Sequence, residues 1–326
     1  MLYSYASRDG RITTLENPQD PATSRPVWLD LYQPTTDEVK FVETLLGIDI
    51  PTRDEMAEIE LSDRLYREDN ADFMTITAVA NIAEDACKVP VTFIIKGQTL
   101  VTVRHANPRS FAIYAARAQK DRTDLYTSGE MVMFGLLEAI IDRTADALER
   151  IGDEIDAISR EVFRNKSTSA TKKTRDLQSL IEQIGRKGDL LTKLRESLVS
   201  VARMVAYHSA GEAASHKAGK DVRQRSKLIQ RDVTALGDHA VSLSGSINFL
   251  LDATLGLINL EQNQIIKIFS VAAVVFLPPT LVASIYGMNF DVMPELKWTL
   301  GYPWALGLMV MSAVLPFLYF KRRGWL

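Results

Sequence analysis

The pattern of hydrophobic and polar residues changes sharply toward the carboxyl end of the chain. Positions 268–290 and 298–320 each form a run of 23 residues without a charged side chain. A helix needs about 20 such residues to cross a bilayer core of about 30 Å, and buried core helices seldom run this long without a charge. The pattern predicts two transmembrane helices, 263–290 and 298–320, joined by a short loop at 291–297.

Positive charge beside the two spans predicts their orientation. Lys267 precedes the first span, and the tail at 321–326 begins with Lys321, Arg322 and Arg323. Segments rich in Lys and Arg stay on the cytoplasmic side of a membrane. We therefore expect a multi-pass protein with both termini in the cytoplasm and the connecting loop outside.

The first 125 residues mix strand-like and helix-like patterns. Four segments have the composition or alternation of strands: 27–31, 73–79, 91–95 and 99–103. The last two are separated by a turn that contains Gly97, which is typical of a hairpin. Helical periodicity covers 36–48, with Thr36 as the expected N-cap, and 110–120. The prediction is a cytosolic α+β domain over 1–125.

Long amphipathic helices are predicted over 126–262. Apolar residues recur at three, four or seven positions in three stripes: Leu148, Ile151, Ile155, Ile158 and Val162; Leu177, Ile184, Leu191, Leu198 and Val205; Ile229, Val233, Leu236, Ala240, Leu243, Ile247 and Leu250. Such stripes are the faces of coiled coils or bundles. Turns are expected at 167–169 and 211–219.

The last of these helices is predicted to run without interruption into the first span. No proline occurs between Lys217 and Pro278. One helix from 217 to 286 would be about 105 Å long at 1.5 Å per residue. Pro278 and Pro279 lie inside the span, where they remove two helix hydrogen bonds. They are either a packing kink or a wetted weak point where the pore changes width.

Composition excludes several functional classes. The net charge of -3, without a dense basic stripe, does not favour a nucleic-acid partner. The single cysteine, Cys87, excludes an intrachain disulfide. The sequence has no Gly-rich phosphate loop and no His-Glu-x-x-His or paired-cysteine metal motif. We therefore predict neither catalytic residues nor an organic cofactor, and the protein is not expected to be an enzyme.

The candidate chemistry lies at the outer end of the first span, in the segment Tyr286-Gly287-Met288-Asn289-Phe290. Taken alone, this segment is explained as a helix terminus, because glycine suits a left-handed C-cap and asparagine suits a turn. An asparagine amide also offers an oxygen acceptor without a fixed charge. Both interpretations hold at this point.

With its surroundings, the segment resembles the CorA-type magnesium transporters, specifically their bacterial branch. Their signature is Tyr-Gly-Met-Asn at the end of the first of two C-terminal spans. The likeness also covers 261–263, 275–283, 301–303, 319–326 and the Met-Pro-Glu-Leu of the loop at 293–296. It extends nearly without gaps from residue 261 to the end, whereas residues 1–200 match in layout more than in letters.

The resemblance implies a homopentameric funnel in a bacterial inner membrane, with five first spans around a pore. It implies uptake of Mg²⁺, with Co²⁺ and Ni²⁺ as lesser substrates, and closure by intracellular Mg²⁺ as a regulatory ligand. The selectivity filter would be Gly287, Met288 and Asn289. The pore-lining positions would be Asn263, Ile266, Phe269, Ala273, Leu277, Thr280 and Ser284. The helical repeat allows Ser270 in place of Phe269, and the regulatory metal residues are unknown.

Physical chemistry agrees with such a filter. Magnesium dehydrates reluctantly, so a ring of amide and backbone carbonyls can bind the hydrated ion through its water hydrogens. Moving a charge of +2 through 100 mV supplies about 4.6 kcal/mol, which supports a concentration ratio of about 10³. The membrane potential alone is therefore sufficient to drive uptake.

Charged residues near the two mouths have two interpretations each. Asp291 and Glu295 in the external loop would concentrate cations or are ordinary solvated charges. Lys321, Arg322 and Arg323 would form a basic collar around the inner mouth or only anchor the topology.

Two alternative functions fit the same pattern less well. The first is a zinc or cobalt/nickel transporter of the same superfamily, although the external motifs favour magnesium. The second is a membrane-anchored coiled-coil scaffold, against which the polar residues in the first span argue.

Overall fold

The computed structural model describes residues 1–15, 26–120, 126–164, 170–215, 220–289 and 293–325. The chain divides into two compact units. The N-terminal unit comprises Met1–Phe163 and Glu182–Leu250, and the C-terminal unit comprises Arg164–Ile181 and Leu251–Leu326.

The described residues of the N-terminal unit form a seven-stranded sheet in the order β2-β1-β3-β7-β6-β5-β4. The strands are β1 (Leu2–Arg8), β2 (Arg11–Thr14), β3 (Trp28–Tyr32), β4 (Leu65–Glu68), β5 (Ala71–Ala80), β6 (Cys87–Lys96) and β7 (Thr99–Arg104). β3 pairs with β7 in parallel, and the other neighbours are antiparallel. The predicted hairpin is confirmed as β6–β7, where Gly97 turns the chain at a φ of 61°.

A buried polar chain joins the centre of this sheet. The Arg104 guanidinium forms an ion pair with Asp30 at 2.8 Å, and both side chains are almost fully buried. The Thr102 hydroxyl donates to Asp30 Oδ1 at 2.8 Å, and Trp28 Nε1 donates to Thr102 Oγ1 at 2.9 Å. Because each group has a partner, the pair fixes β3 beside β7 without leaving an uncompensated charge.

Four short helices accompany the sheet: α1 (Thr36–Leu46), α2 (Arg53–Ala57), α3 (Leu61–Arg64) and α4 (Arg109–Lys120). The prediction of Thr36 as the N-cap of α1 is wrong, since the cap is Thr35. Thr35 has extended backbone angles, its side chain accepts from the Glu38 amide, and the Glu38 carboxylate accepts from the Thr35 amide. Because of this reciprocal capping box, the helix begins one residue earlier than it would with Thr36 as the N-cap. Gly47, at a φ of 61°, ends it before 48.

Three long helices follow: α5 (Gly129–Arg164), α6 (Ala170–Ser215) and α7 (Lys220–Tyr286). The three predicted stripes are buried, with Leu236 the one half-buried member. The expected turn at 167–169 lies outside the described residues. The turn expected from 211 is wrong in its first part, because α6 continues to Ser215, and 216–219 lie outside the described residues.

The C-terminal unit holds the two candidate membrane spans. α7 remains a single helix of 67 residues up to Tyr286 and includes Pro278 and Pro279. A short 3₁₀ helix (Pro294–Lys297) precedes α8 (Gly301–Arg322). α8 begins three residues after the predicted 298, because Gly301 closes a turn onto the Trp298 carbonyl at 3.2 Å. Both helices are long and apolar enough to cross a membrane, and only 6% of each apolar window is buried.

Candidate ion path along the first span

The end of α7 next to the connecting loop closes tightly onto itself. The Gly287 amide donates to the Ala283 carbonyl at 3.0 Å, and the Met288 amide donates to the Ile285 carbonyl at 3.3 Å. Gly287 is not in the left-handed conformation that a glycine C-cap adopts. A Cβ there would lie 3.0 Å from the Ala283 carbonyl oxygen. Glycine is therefore explained by close backbone approach.

The two residues after this glycine project away from the rest of the chain. Met288 is 49% exposed, and Asn289 is also exposed. In the described part of the chain, no hydrogen bond involves the Asn289 side-chain amide. Its carbonyl oxygen is therefore available as an acceptor for a ligand outside this chain.

The seven residues proposed to line the pore lie on one face of α7, in a segment where residues on the other faces are also largely exposed in the single chain. All are exposed in the single chain: Asn263, Ile266, Phe269, Ala273, Leu277, Thr280 and Ser284. Their steps of three and four residues keep them on one side of a helix. Val271, by contrast, is buried within the unit. Ser270 is exposed beside Phe269, so both residues border the same face.

The two prolines loosen the hydrogen bonding of α7 at mid-span. Pro278 and Pro279 have no N–H to donate to the carbonyls four residues before them, at Val274 and Val275. The Thr280 hydroxyl donates to the Phe276 carbonyl at 2.7 Å, one residue further along. This part of the helix thus concentrates backbone acceptors in a segment where lipid offers no donor.

The start of the first span and the end of the second span meet. The Lys267 ammonium lies 5.8 Å from the centre of the Trp325 ring, and Trp325 packs against Phe320 at 5.2 Å. The spans therefore form an antiparallel hairpin in which Lys267 and the basic tail share one end. Asn289 lies at the other end of its helix. Sequence reasoning did not foresee this cation–π contact, although a tryptophan after three basic residues is compatible with it.

The connecting loop holds the two acidic residues predicted for the outer mouth. Asp291 lies outside the described residues. Glu295 lies in the 3₁₀ helix Pro294–Lys297. Both residues remain predictions for the outer mouth.

Carboxyl groups with shifted pKa values occur on α5 in the N-terminal unit. Burial raises the pKa of Glu138, while its ion pair with Arg225, at 3.3 Å, opposes that rise. Burial also raises the pKa of Asp142, and Asp232 adds to the shift in both groups. Within the described ranges, no three His, Cys, Asp or Glu side chains converge on a position for a metal ion.

Comparison with known proteins finds a matching family and relatives that align over the whole chain. Residues 24–322 match the model of the family "CorA-like Mg2+ transporter protein". Magnesium transport protein CorA of Escherichia coli (strain K12) is 36% identical, and that of Yersinia pseudotuberculosis serotype I is 33% identical. Each alignment covers 327 residues and 100% of both chains.

The fold also has a counterpart among solved structures. The complete structure of the CorA magnesium transporter from Methanocaldococcus jannaschii superimposes with a TM-score of 0.76 at 18% identity. The match covers 100% of this chain and 99% of that one. The predicted fold class, an α+β domain with long helices and a C-terminal hairpin, is confirmed for the single chain.

Proposed function

Because the chain belongs to the CorA-like Mg2+ transporter family, we propose that it carries magnesium through the inner membrane of a bacterium. The observation that carries this proposal is the row of seven residues from Asn263 to Ser284 on one face of α7, which we call the exposed stripe. This row leads to the free amide of Asn289. The alignment to magnesium transport proteins covers the whole chain, so the family relationship includes both α7 and the N-terminal unit.

The same stripe supports assembly of several copies around a common axis. Thr280 and Ser284 are exposed polar residues in the part of α7 after Lys267, which is mostly apolar, and Asn263 is an exposed polar residue just before it. Polar side chains facing hydrocarbon are unfavourable, whereas they are tolerated around a water-filled pore. A homopentamer, with five α7 helices inside and five α8 helices outside, satisfies this requirement.

In that arrangement, the filter is a ring of Asn289 amides with the backbone carbonyls of Gly287, flanked by Met288. Magnesium keeps its first-shell waters, whose hydrogens point outward toward acceptors. A ring of neutral oxygens binds this hydrated ion without the slow release that a carboxylate ring would cause. Asn263 supplies a second polar ring at the inner end.

The pore would close at its apolar residues. Phe269 and Leu277 are 72% and 66% exposed. Rings of these side chains would form hydrophobic constrictions that dewet and block ions. Intracellular Mg²⁺ bound by carboxylates of the cytosolic helices would favour this closed state, because bridging cations remove repulsion between acidic groups.

Charge at the two mouths completes the proposal. Asp291 and Glu295 would raise the local concentration of cations outside. Lys321, Arg322 and Arg323 would form a collar inside, where Lys267 already contacts Trp325. The membrane potential drives uptake, and Co²⁺ and Ni²⁺ pass as minor substrates because they resemble hydrated Mg²⁺ in charge and geometry.

The test is magnesium uptake into liposomes that contain the purified protein, wild type beside Asn289→Ala. A matched control is Thr299→Ala, which removes an exposed polar side chain near the start of α8. We expect uptake by wild type and Thr299→Ala, and its loss in Asn289→Ala with the oligomer intact. Equal uptake by all three would mean that Asn289 is only a helix terminus. Uptake of zinc or cobalt without magnesium would favour the alternative transporter.

A further inference from the structure

A cavity of about 460 Å³ lies in the N-terminal unit, apart from the residues of the ion path. Its walls come from the α3–β4 corner, from β5 and from α6. Two small residues of α7, Ala240 and Ser244, complete it. Its volume is within the range of sites that hold small organic ligands.

The walls of this cavity are fixed by polar contacts between α6 and the β5–β6 hairpin. The Thr77 amide donates to Ser200 Oγ at 3.0 Å. The Lys193 ammonium donates to the Ala86 carbonyl at 2.8 Å, and Lys88 forms an ion pair with Glu196 at 2.7 Å. These contacts attach the α6 wall of the cavity to β5, to β6 and to the turn between them.

Three arginines line the cavity: Arg64, Arg195 and Arg203. The carboxylate among the lining residues, Glu196, is already paired with Lys88. In the parts of the chain that the structure describes, neither Arg195 nor Arg203 lies within ion-pair distance of a carboxylate. The cavity therefore carries a positive charge that the surrounding residues do not neutralise.

Arg64 adds a buried donor without an acceptor. Its Nη2 donates to Thr77 Oγ1 at 3.0 Å. Its Nε is buried, and the described residues offer it no hydrogen-bond partner. Burial lowers the pKa of Arg64, and the nearby charge of Arg203 lowers it further. A buried charged donor without a partner is costly, so an anion bound here would be favoured.

The mouth of the cavity is apolar. Ile59, Leu61 and Val199 line it and remain 90%, 51% and 42% exposed. Exposed aliphatic side chains next to an arginine cluster fit a ligand with an anionic end and an apolar, flat end. An inorganic anion alone would leave these side chains in water.

We propose that this cavity binds a nucleotide-type organic phosphate. The phosphates lie on Arg64, Arg195 and Arg203, because the guanidinium fork matches phosphate oxygens with paired hydrogen bonds. The base lies against Ile59, Leu61 and Val199. Since the lining carries three guanidinium groups and its carboxylate is already paired with Lys88, the site favours the more negatively charged, magnesium-free form of the nucleotide.

Isothermal titration of the full-length protein in detergent tests this assignment, with ATP in the presence of EDTA as the probe. The variant is Arg195→Gln with Arg203→Gln, and the control is Arg231→Gln, an exposed arginine of α7 outside the cavity. We expect saturable binding by wild type and control, and at least tenfold weaker binding by the double variant. Arg195 and Arg203 are exposed, so an unchanged unfolding temperature should show that the double variant is folded.

Two further probes separate the parts of the ligand. Inorganic triphosphate should bind several-fold more weakly than ATP, and adenosine should not bind measurably. The assignment is overturned if wild type shows no saturable binding of ATP up to millimolar concentration. It is also overturned if the double variant binds as tightly as wild type, or if triphosphate equals ATP.

Discussion

At the scale of single residues, close packing of the N-terminal unit depends on positions where no side chain fits. Gly135 of α5 lies against the Tyr114 ring of α4, and a Cβ at Gly135 would overlap that ring. Gly185 of α6 has no atom within 4 Å of such a Cβ. The same substitution should therefore have opposite effects at these two glycines.

We predict that Gly135→Ala lowers the free energy of unfolding by about 1–3 kcal/mol, because a buried contact is overpacked. Gly185→Ala should raise it by about 0.5–1 kcal/mol, because alanine is the better helix former. Denaturant unfolding of both variants, monitored by circular dichroism, measures the two changes. If both substitutions lowered the free energy of unfolding, the difference in packing would not determine their effects.

Glu38 gives the N-terminal unit a dependence on pH. Burial alone would raise its pKa, but hydrogen bonds lower the pKa overall. The donors are the terminal ammonium, the Thr35 amide and the Leu2 amide, at 2.8, 2.8 and 2.9 Å. A carboxyl with a lowered pKa stabilises the fold fully above the unfolded-state pKa of about 4.3. That stabilisation is lost as the pH falls through the folded-state pKa.

Replacement by an uncharged analogue should remove this dependence. Wild type should exceed Glu38→Gln in unfolding temperature at pH 6, and the difference should shrink steadily between pH 5 and pH 3. Thermal unfolding across this range checks the sign. A difference that grows on acidification would refute the role of the ionised carboxylate.

At the scale of elements, the sequence predicted best where one repeating pattern is long. The buried stripe from Leu177 to Val205 follows directly from periodicity, and the charge-free run ends at 290, four residues beyond the end of α7 at Tyr286. The short strands β1, β2 and β4 were not predicted, because four to seven residues provide too little alternation to distinguish a strand from a loop. Their pairing depends on distant neighbours in the sheet.

The candidate sites divide in the same way. The outer end of the first span could be found from sequence because Gly287, Met288 and Asn289 are adjacent. The arginine cavity could not, because Arg64 and Arg203 come from different elements that only the fold brings together. A contact of that kind leaves no spacing in the sequence.

Pro278 and Pro279 are predicted to affect conduction through α7. Replacing Pro278 and Pro279 by alanine would restore two helix hydrogen bonds, and we predict altered magnesium conductance and closure. Pro316→Ala is the matched control, since Pro316 lies inside α8, away from the exposed stripe. Single-channel recording compares the variants. Conductance and closure identical to wild type would show that Pro278 and Pro279 only shape packing.

At the scale of the whole molecule, the hairpin makes its topology testable. Cys87 is the single cysteine of the sequence, so Cys87→Ser provides a background for labelling. We predict that Lys297→Cys reacts with a membrane-impermeant maleimide on intact cells. Arg323→Cys, which follows α8, should react only after permeabilisation, because the basic ends are expected in the cytoplasm. The reverse labelling pattern would contradict the predicted orientation and place the basic ends outside the cell.

The helix α7 runs through both units of the chain. It contributes to the buried stripes of the N-terminal unit through Leu250 and continues to Tyr286, directly before Gly287, Met288 and Asn289. The Escherichia coli relative aligns over the whole length of both chains, and the Methanocaldococcus jannaschii structure superimposes over nearly the whole length of both. Family membership therefore covers the N-terminal unit as well as the two candidate spans.

The most direct test of the central claim is the current through the purified protein in a planar bilayer with Mg²⁺ as the permeant cation. An ion of charge +2 that moves alone gains about 4.6 kcal/mol per 100 mV. Since a tenfold gradient corresponds to about 1.4 kcal/mol, the reversal potential should shift by about 30 mV per tenfold change in magnesium. A shift that depends on pH would mean coupled transport, and the absence of a magnesium current would contradict the proposed function.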